Sequence, residues 1–179
     1  MREGTGRVLH VVVCAAPAAA EVGRLVELAQ DDGWRVCVIA TPVGRRFVDV
    51  DFLEGLTAEP VRSEYRLPHE PKTIPLADAV VVAPATFNTI NKWSTGIADT
   101  FAVSLLCEVM GSEVPILAVP LLKDELARHT AFSTNLAALR HMGVTVLFDP
   151  KAPPTARMPS WERILEGVCP VSGVTGFLG

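Results

Sequence analysis

Along the 179 residues, apolar and polar positions fall into two alternating patterns. Short continuous apolar runs bounded by turn residues alternate with longer stretches in which apolar residues return every three or four positions. Residues 7–14 (RVLHVVVC) show the first pattern, the one expected of a strand covered on both faces in a parallel sheet. The second pattern follows at once. Val22, Val26 and Ala29 recur with Leu25 beside them, Glu21, Arg24, Glu27 and Asp31 take the opposite face, and Gly33 ends the helix. Arg35 to Ala40 (RVCVIA) is a second buried strand. This β-α-β opening implies a right-handed crossover and a doubly wound α/β sheet.

The alternation continues to the far end of the chain. After Thr41-Pro42 the segment 43–50 predicts a short helix, and residues 60–65 (PVRSEY) a weak third strand. Residues 67–75 (LPHEPKTIP) predict a loop, because each proline removes a donor and restricts its predecessor. Strands are expected at 78–83 and 114–119, with helices at 86–95 and 97–110 between them. A helix over 124–142 places Phe132, Leu136 and Leu139 on one face, Gly143 caps it, and 144–148 is the last strand. Pro153-Pro154 opens a loop, Ser160 is placed as the N-cap of a helix through Glu166, and the last ten residues carry no pattern. The expected architecture is α/β: a three-layer, doubly wound parallel sheet, Rossmann- or flavodoxin-like, in a single domain, since a domain runs to roughly 150 residues.

Composition narrows the function classes. Hydrophobic residues make up 49% and charged residues 20%, enough apolar surface for a core and too much for a disordered chain. No run reaches the roughly 18 apolar residues of a membrane span. Net charge is -4, and no basic block suggests nucleic-acid contact. Cys14 and Cys37 belong to buried runs, Cys107 to an apolar helix, and no CxxC pair occurs, so a reducing cytoplasm is expected rather than a disulfide framework. His10, His69, His129 and His141 show no metal-ligand spacing, and no metal is expected. Arg2 and Arg7 before the run 8–20, with Ala18 to Ala20 at its end, imitate a signal peptide. The β-branched Val11 to Val13, Pro17 and the amphipathic helix that follows favour a first strand and turn instead.

In open α/β sheets, ligands bind beyond the carboxyl ends of the strands, so residues just after each strand are the candidates. After the first strand, Ala15 to Ala19 carry side chains small enough for a ligand to approach the backbone at a helix start. This turn is neither GxGxxG nor GxxxxGK[ST], which disfavours a dinucleotide site and excludes a P-loop while leaving a mononucleotide. After the strand ending at Ala83 comes PATFNTINKWSTGIADT (84–100). Thr86, Asn88 and Thr89 supply three polar groups in four positions, more than a helix cap needs, and a ligand accounts for them.

Pro84-Ala85-Thr86-Phe87-Asn88-Thr89, followed by Lys92, Gly96-Ile97 and Asp99, resembles the PASANT and K-x-x-x-G-I-x-D motifs of the homo-oligomeric flavin-containing cysteine decarboxylases. That family includes phosphopantothenoylcysteine decarboxylases and the peptidyl-cysteine decarboxylases of lantibiotic biosynthesis. Thr41 to Val48 is similar to its T-x-x-A-x-x-F-V stretch, Pro120 to Ala127 to its P-x-M-N-x-x-M-W motif, and Ala156 to Ile164 to its late G-R-M segment. The resemblance implies FMN, bound between subunits of a trimer that assembles alone or into a larger particle. By position, Ala16, Pro17, Thr41, Phe47, Ala85, Thr86, Asn88 and Thr89 would surround it. The implied reaction passes a hydride from the substrate's cysteine unit to the flavin, leaving a thioaldehyde that loses carbon dioxide to become an enethiolate. The implied partner is a small molecule or peptide with a cysteine carboxylate, with no nucleic acid or membrane involved.

Departures from the family pattern bear on the substrate. The family's catalytic His falls on Glu70, and a one-residue insertion in the Pro-rich loop would restore it as His69. The family's carboxylate-binding Asn is here Lys123, a point charge without an amide's paired donor and acceptor. The loop 151–156 is short and lacks the family's clamp cysteine, which weakens the pantothenate-pathway reading. His129, Trp93, Trp161 and Phe101 are read as a helix-start residue and packing residues. The helix 97–110, apolar nearly all round, suggests burial by another subunit. One function follows with His69 as acid/base and Lys123 on the carboxylate. The alternative is an FMN protein that has lost this chemistry and acts as a redox-sensing or regulatory partner. Flavin prenyl transfer is disfavoured, because that family's acidic and basic signature residues are missing.

Overall fold

The computed structural model describes residues 6–70 and 74–168. Five strands, β1 (Val8–Val13), β2 (Arg35–Ala40), β3 (Ala79–Ala85), β4 (Ile116–Pro120) and β5 (Thr145–Val146), form one sheet in the order β2-β1-β3-β4-β5, all parallel. Every residue of β1, β3 and β4 is buried, as their unbroken apolar runs require of strands covered on both faces. Helices α1 (Gly23–Asp31), α2 (Val50–Thr57) and α7 (Trp161–Val168) pack on one face through Leu25, Val26, Leu53 and Ile164. Helices α3 (Phe87–Thr95), α4 (Phe101–Met110) and α6 (Thr130–His141) cover the other through Ile90, Trp93, Leu106, Phe132 and Leu139. The result is the three-layer, doubly wound arrangement that the alternation of runs predicted.

Local chemistry explains most boundaries. Thr86 caps α3 by accepting from Thr89 N, and Gly96, at φ +72, ends it with its N–H on the Trp93 carbonyl. Gly33, at φ +83, turns the chain from α1 toward β2. Ser160 Oγ accepts from Arg163 N at 3.2 Å, the cap expected of α7. The segment read as a helix over 43–50 is instead a 3-10 turn (Gly44–Phe47), and α2 starts later because Asp49 caps it through Phe52 N at 3.0 Å. The helix read over 97–110 begins only at Phe101, capped by Thr100, since Gly96 forces a break before it.

The helix read over 124–142 is two, a short α5 (Asp124–Ala127) and α6. His129 interrupts it: its backbone is extended and its Nδ1 accepts from Ala131 N at 3.1 Å, a cap that competes with helix continuation. The weak strand read over 60–65 is one parallel bridge, Arg62 to Ile39, with Ala40 N donating to the Arg62 carbonyl at 2.7 Å. Pro60 lacks a donor on one side of it, and the Pro-rich segment leaves the sheet edge soon after. β5 is shorter than the run over 144–148 because Pro150 follows it closely at the sheet edge. The patternless last ten residues lie outside the described residues, as does Arg2 of the signal-like segment.

Candidate functional site

Crossovers leave β1 and β3 toward opposite faces, so the carboxyl ends of these neighbouring strands part and leave a crevice. A cleft of about 1240 Å³ lies there. Its walls come from five separate turns: Ala15 to Ala18 after β1, Thr41 to Val43 after β2, Thr86 to Thr89 after β3, Leu121 to Lys123 after β4, and Pro154 with Thr155 and 158–161 before α7. Ala16, Pro17, Thr41, Thr86, Asn88, Thr89 and Lys123 therefore meet around one space. Ala85 is fully buried in β3 directly beneath it, its carbonyl accepting from Leu121 N at 2.9 Å. Phe47 stands 41% exposed on the 3-10 turn after β2 and is not among the lining residues. His69 is exposed on a turn of the Pro-rich segment and does not line the cleft of its own chain.

Hydrogen bonds on the cleft floor define its polarity. Cys14 Sγ donates to Thr89 Oγ1 at 3.3 Å, and the Thr86 and Thr89 hydroxyl oxygens lie 3.2 Å apart. One hydrogen satisfies the contact between the two hydroxyls. The other hydroxyl hydrogen can turn to Cys14 Sγ or to the cleft, which both threonines line. The floor can thus donate to a ligand, and it lies at the N-terminus of α3, where free N–H groups and the helix dipole also favour an anion. Burial pushes the Cys14 thiol pKa up, opposed by its bonds to Thr89 and Thr86, so Cys14 stays a neutral donor beneath the site.

Close approach of two turns shapes the same floor. Gly44 N donates to Thr41 Oγ1 at 3.0 Å, and a Cβ on Gly44 would stand 2.6 Å from the Val13 carbonyl oxygen and 2.7 Å from Thr41 Oγ1. Only glycine lets the turn after β2 lie against the end of β1. At the rim, Lys92 is paired with Asp99, whereas Lys123 is exposed beside the apolar Leu121, Leu122 and Leu126. Tyr65, Leu67 and Ile97 are each about half exposed. Tyr65 meets the Phe101 ring edge-on at 5.7 Å and donates to the Ala98 carbonyl at 3.4 Å.

Several residues have roles that the sequence pattern does not reveal. Met158, Pro159, Ser160 and Trp161 form a wall, so Trp161 is both a core residue and a lining one. The only sequence signal was the late motif around Arg157-Met158. Trp93 is buried as expected of packing, and His129 caps α6 with its ring edge-on to Phe87 at 5.5 Å.

Comparison with known proteins places this geometry. The chain is 33% identical over 140 residues to the coenzyme A biosynthesis bifunctional protein CoaBC of Mycobacterium tuberculosis, covering 75% of this chain and 32% of that protein. The chain thus spans about a third of the curated relatives it matches first. Among solved structures it superposes on MrsD from a Bacillus species with a TM-score of 0.75 at 16% identity, covering 90% of this chain and 94% of the other. It superposes on the FMN-dependent cysteine decarboxylase TvaF of thioviridamide biosynthesis with a TM-score of 0.69 at 24% identity, covering 90% and 95%. At these identities the two structures speak for the fold. The flavoprotein family model matches residues 2–172, nearly the whole chain, and on that match the chain belongs to the flavoprotein family.

Proposed function

We propose that this flavoprotein binds FMN in the cleft and decarboxylates a cysteine-type carboxylate, free or at the end of a peptide. The observation that carries the cofactor is the donor floor at the start of α3: Thr86, Thr89 and the helix N-terminus suit a phosphate, and Cys14 is held neutral beneath them. The cleft, at about 1240 Å³, has room for a flavin and a small substrate together. Ala16 and Pro17 offer close backbone approach, Thr41 and Asn88 further polar contacts. The chemistry and fold of the residues present fit the group, and the relatives named above support it.

When bound, FMN supplies a two-electron acceptor for the substrate's cysteine unit. Lys123 meets the carboxylate as a point charge and orients it, while Leu121, Leu122 and Leu126 exclude water beside it. His69 takes the thiol proton. Because it lies outside its own chain's cleft, it serves the cleft of an adjacent copy in a homo-oligomer. The exposed apolar side chains of Tyr65 and Leu67, on the segment that carries His69, and of Ile97 support that assembly. The substrate loses two hydrogens and then carbon dioxide. The absence of any membrane-length apolar helix among the described residues is compatible with the cytoplasmic setting proposed for it.

The test is the visible spectrum of the purified protein with added FMN, followed by anaerobic incubation with a peptide ending in cysteine and mass analysis of the peptide. Flavin bands that bleach, with a product lighter by carbon dioxide and two hydrogens, are expected. Bound flavin that never bleaches would leave the alternative, an FMN protein with a redox-sensing or regulatory role; no flavin uptake would sink both. In Lys123→Gln, flavin uptake is expected to persist and turnover to fall.

A further inference from the structure

Arg157 is the buried charge that the proposed chemistry leaves unexplained. Its side chain is only 3% exposed. Nη1 donates to the Leu122 carbonyl at 3.0 Å, Nη2 pairs with Asp124 Oδ1, and the guanidinium carbon lies 5.5 Å from the Phe148 ring centroid. These partners belong to two chain segments outside its own: the turn from β4 into α5, and the residues just past β5. Nε is buried with no hydrogen-bond partner, so the guanidinium is committed to this place at a desolvation cost.

The segments it joins both line the cleft. Leu121 and Lys123 line it from one, and Lys123 is the residue immediately before Asp124; Met158 and Trp161, just beyond Arg157, line it from the other. Lys123 has an extended backbone and makes no side-chain cap of its own at the start of α5. Beside the backbone bond of Leu121 to Ala85, that turn is tied by the bond to the Leu122 carbonyl on one side of Lys123 and the pair with Asp124 on the other. A planar, always charged fork suits this three-way tie, which a flexible ammonium could meet only in part.

The geometry points to Arg157 as a positioning residue: it pins the turn that bears Lys123 to the loop before α7, and so sets where the substrate carboxylate is received. This rests on the carboxylate role proposed for Lys123. Arg157 acts through Lys123 and touches neither flavin nor substrate.

Three variants test it in the full FMN-loaded protein: Asp124→Asn, Arg157→Met and Arg157→Lys. In the first two, amide exchange is expected to rise together, about tenfold, in residues 121–127 and 154–160 and to stay unchanged in β1 and α3. The KM for a cysteine-ended peptide is expected to rise about tenfold with kcat within about threefold, and Arg157→Lys to recover part of the loss. FMN affinity should stay within about twofold of the parent, because the turns after β1, β2 and β3 hold the flavin site. Asp124→Asn keeps the test open if Arg157→Met fails to fold. Unchanged exchange in 121–127 in Asp124→Asn overturns the pin itself. Loosened exchange with unchanged KM makes the tie purely structural and overturns the positioning role. A parent protein that takes up FMN yet neither binds nor turns over the peptide overturns the substrate reading of Lys123 and the role built on it, and exchange then decides the pin alone.

Discussion

Cys14 and Thr89, 75 positions apart in the chain, are joined by a thiol-to-hydroxyl hydrogen bond of 3.3 Å under the floor of the cleft. The bond couples the end of β1 to the first turn of α3, the two elements that part at the crevice. It also places the hydroxyl pair above it, where an oxygen that accepts from Cys14 and faces Thr86 has one hydroxyl hydrogen to offer the cleft.

Thr89→Val keeps the side-chain shape and removes that oxygen. A hydrogen bond to a charged group contributes about 1.5–3 kcal/mol, so FMN affinity is expected to fall about tenfold or more. The buried thiol also loses its acceptor, lowering stability by about 1 kcal/mol. Flavin fluorescence titration and thermal melting read the two effects separately. Affinity within twofold of the parent would mean that no phosphate sits on this floor.

Gly44→Ala places a methyl group 2.6 Å from a backbone oxygen that cannot move without shifting β1. Overpacking of this kind costs about 1–3 kcal/mol. Because Thr41 Oγ1 is the second atom struck, flavin affinity is expected to fall along with the melting temperature. A variant as stable as the parent would show that the two turns do not lie this close.

His10 interrupts the apolar run of β1 and is buried, with Nε2 at 3.0 Å from the Pro75 carbonyl and Nδ1 without a partner. Burial lowers its pKa, and the bond to Pro75 only partly opposes this. The folded state therefore prefers the neutral ring. Its contribution to stability is complete above the unfolded value of about 6.5 and is lost as pH falls from there toward the lowered folded value. Melting curves between pH 5 and 8 (about 1.5 units either side of that value) should show this acid loss in the parent and a flatter profile in His10→Phe.

Cys37 lies beside His10 in the sheet register, and burial pushes its thiol up to about 11 from an ordinary 9.0. A raised acid favours the folded state while protonated. That stability is present below the unfolded value and is lost as pH rises through the folded one, between 9.0 and about 11. The stability difference between the parent and Cys37→Ala should shrink across this window. Alkylation of Cys37 in the native protein near neutral pH should be slow against the unfolded chain.

Much of this was legible in the residue order. The runs at β1, β2, β3 and β4 are so continuously apolar that only burial on both faces suits them, and their spacing demanded crossovers. The density of Thr and Asn after Ala83 marked the cleft floor, because a cap needs one such group and the segment has three. Less legible were elements decided by a competing local bond. His129 splits a helix that the periodicity of Phe132, Leu136 and Leu139 extends through it, and Gly96 with Thr100 divides α3 from α4 where apolar content alone predicts an earlier start.

By itself, then, the sequence determined the elements, the α/β class and the polar turn after β3, all of which depend on period and turn chemistry within a few residues. Tertiary structure decided which turns share a space. Strand order, not sequence distance, brings Ala16, Thr41, Thr89 and Lys123 to one crevice and leaves Phe47 and His69 outside it in the single chain. It also decided that Arg157, marked in the sequence only by the late motif it shares with Met158, is buried against Leu122, Asp124 and Phe148. Contacts of that kind arise from packing between segments remote in the chain, and no local pattern encodes them.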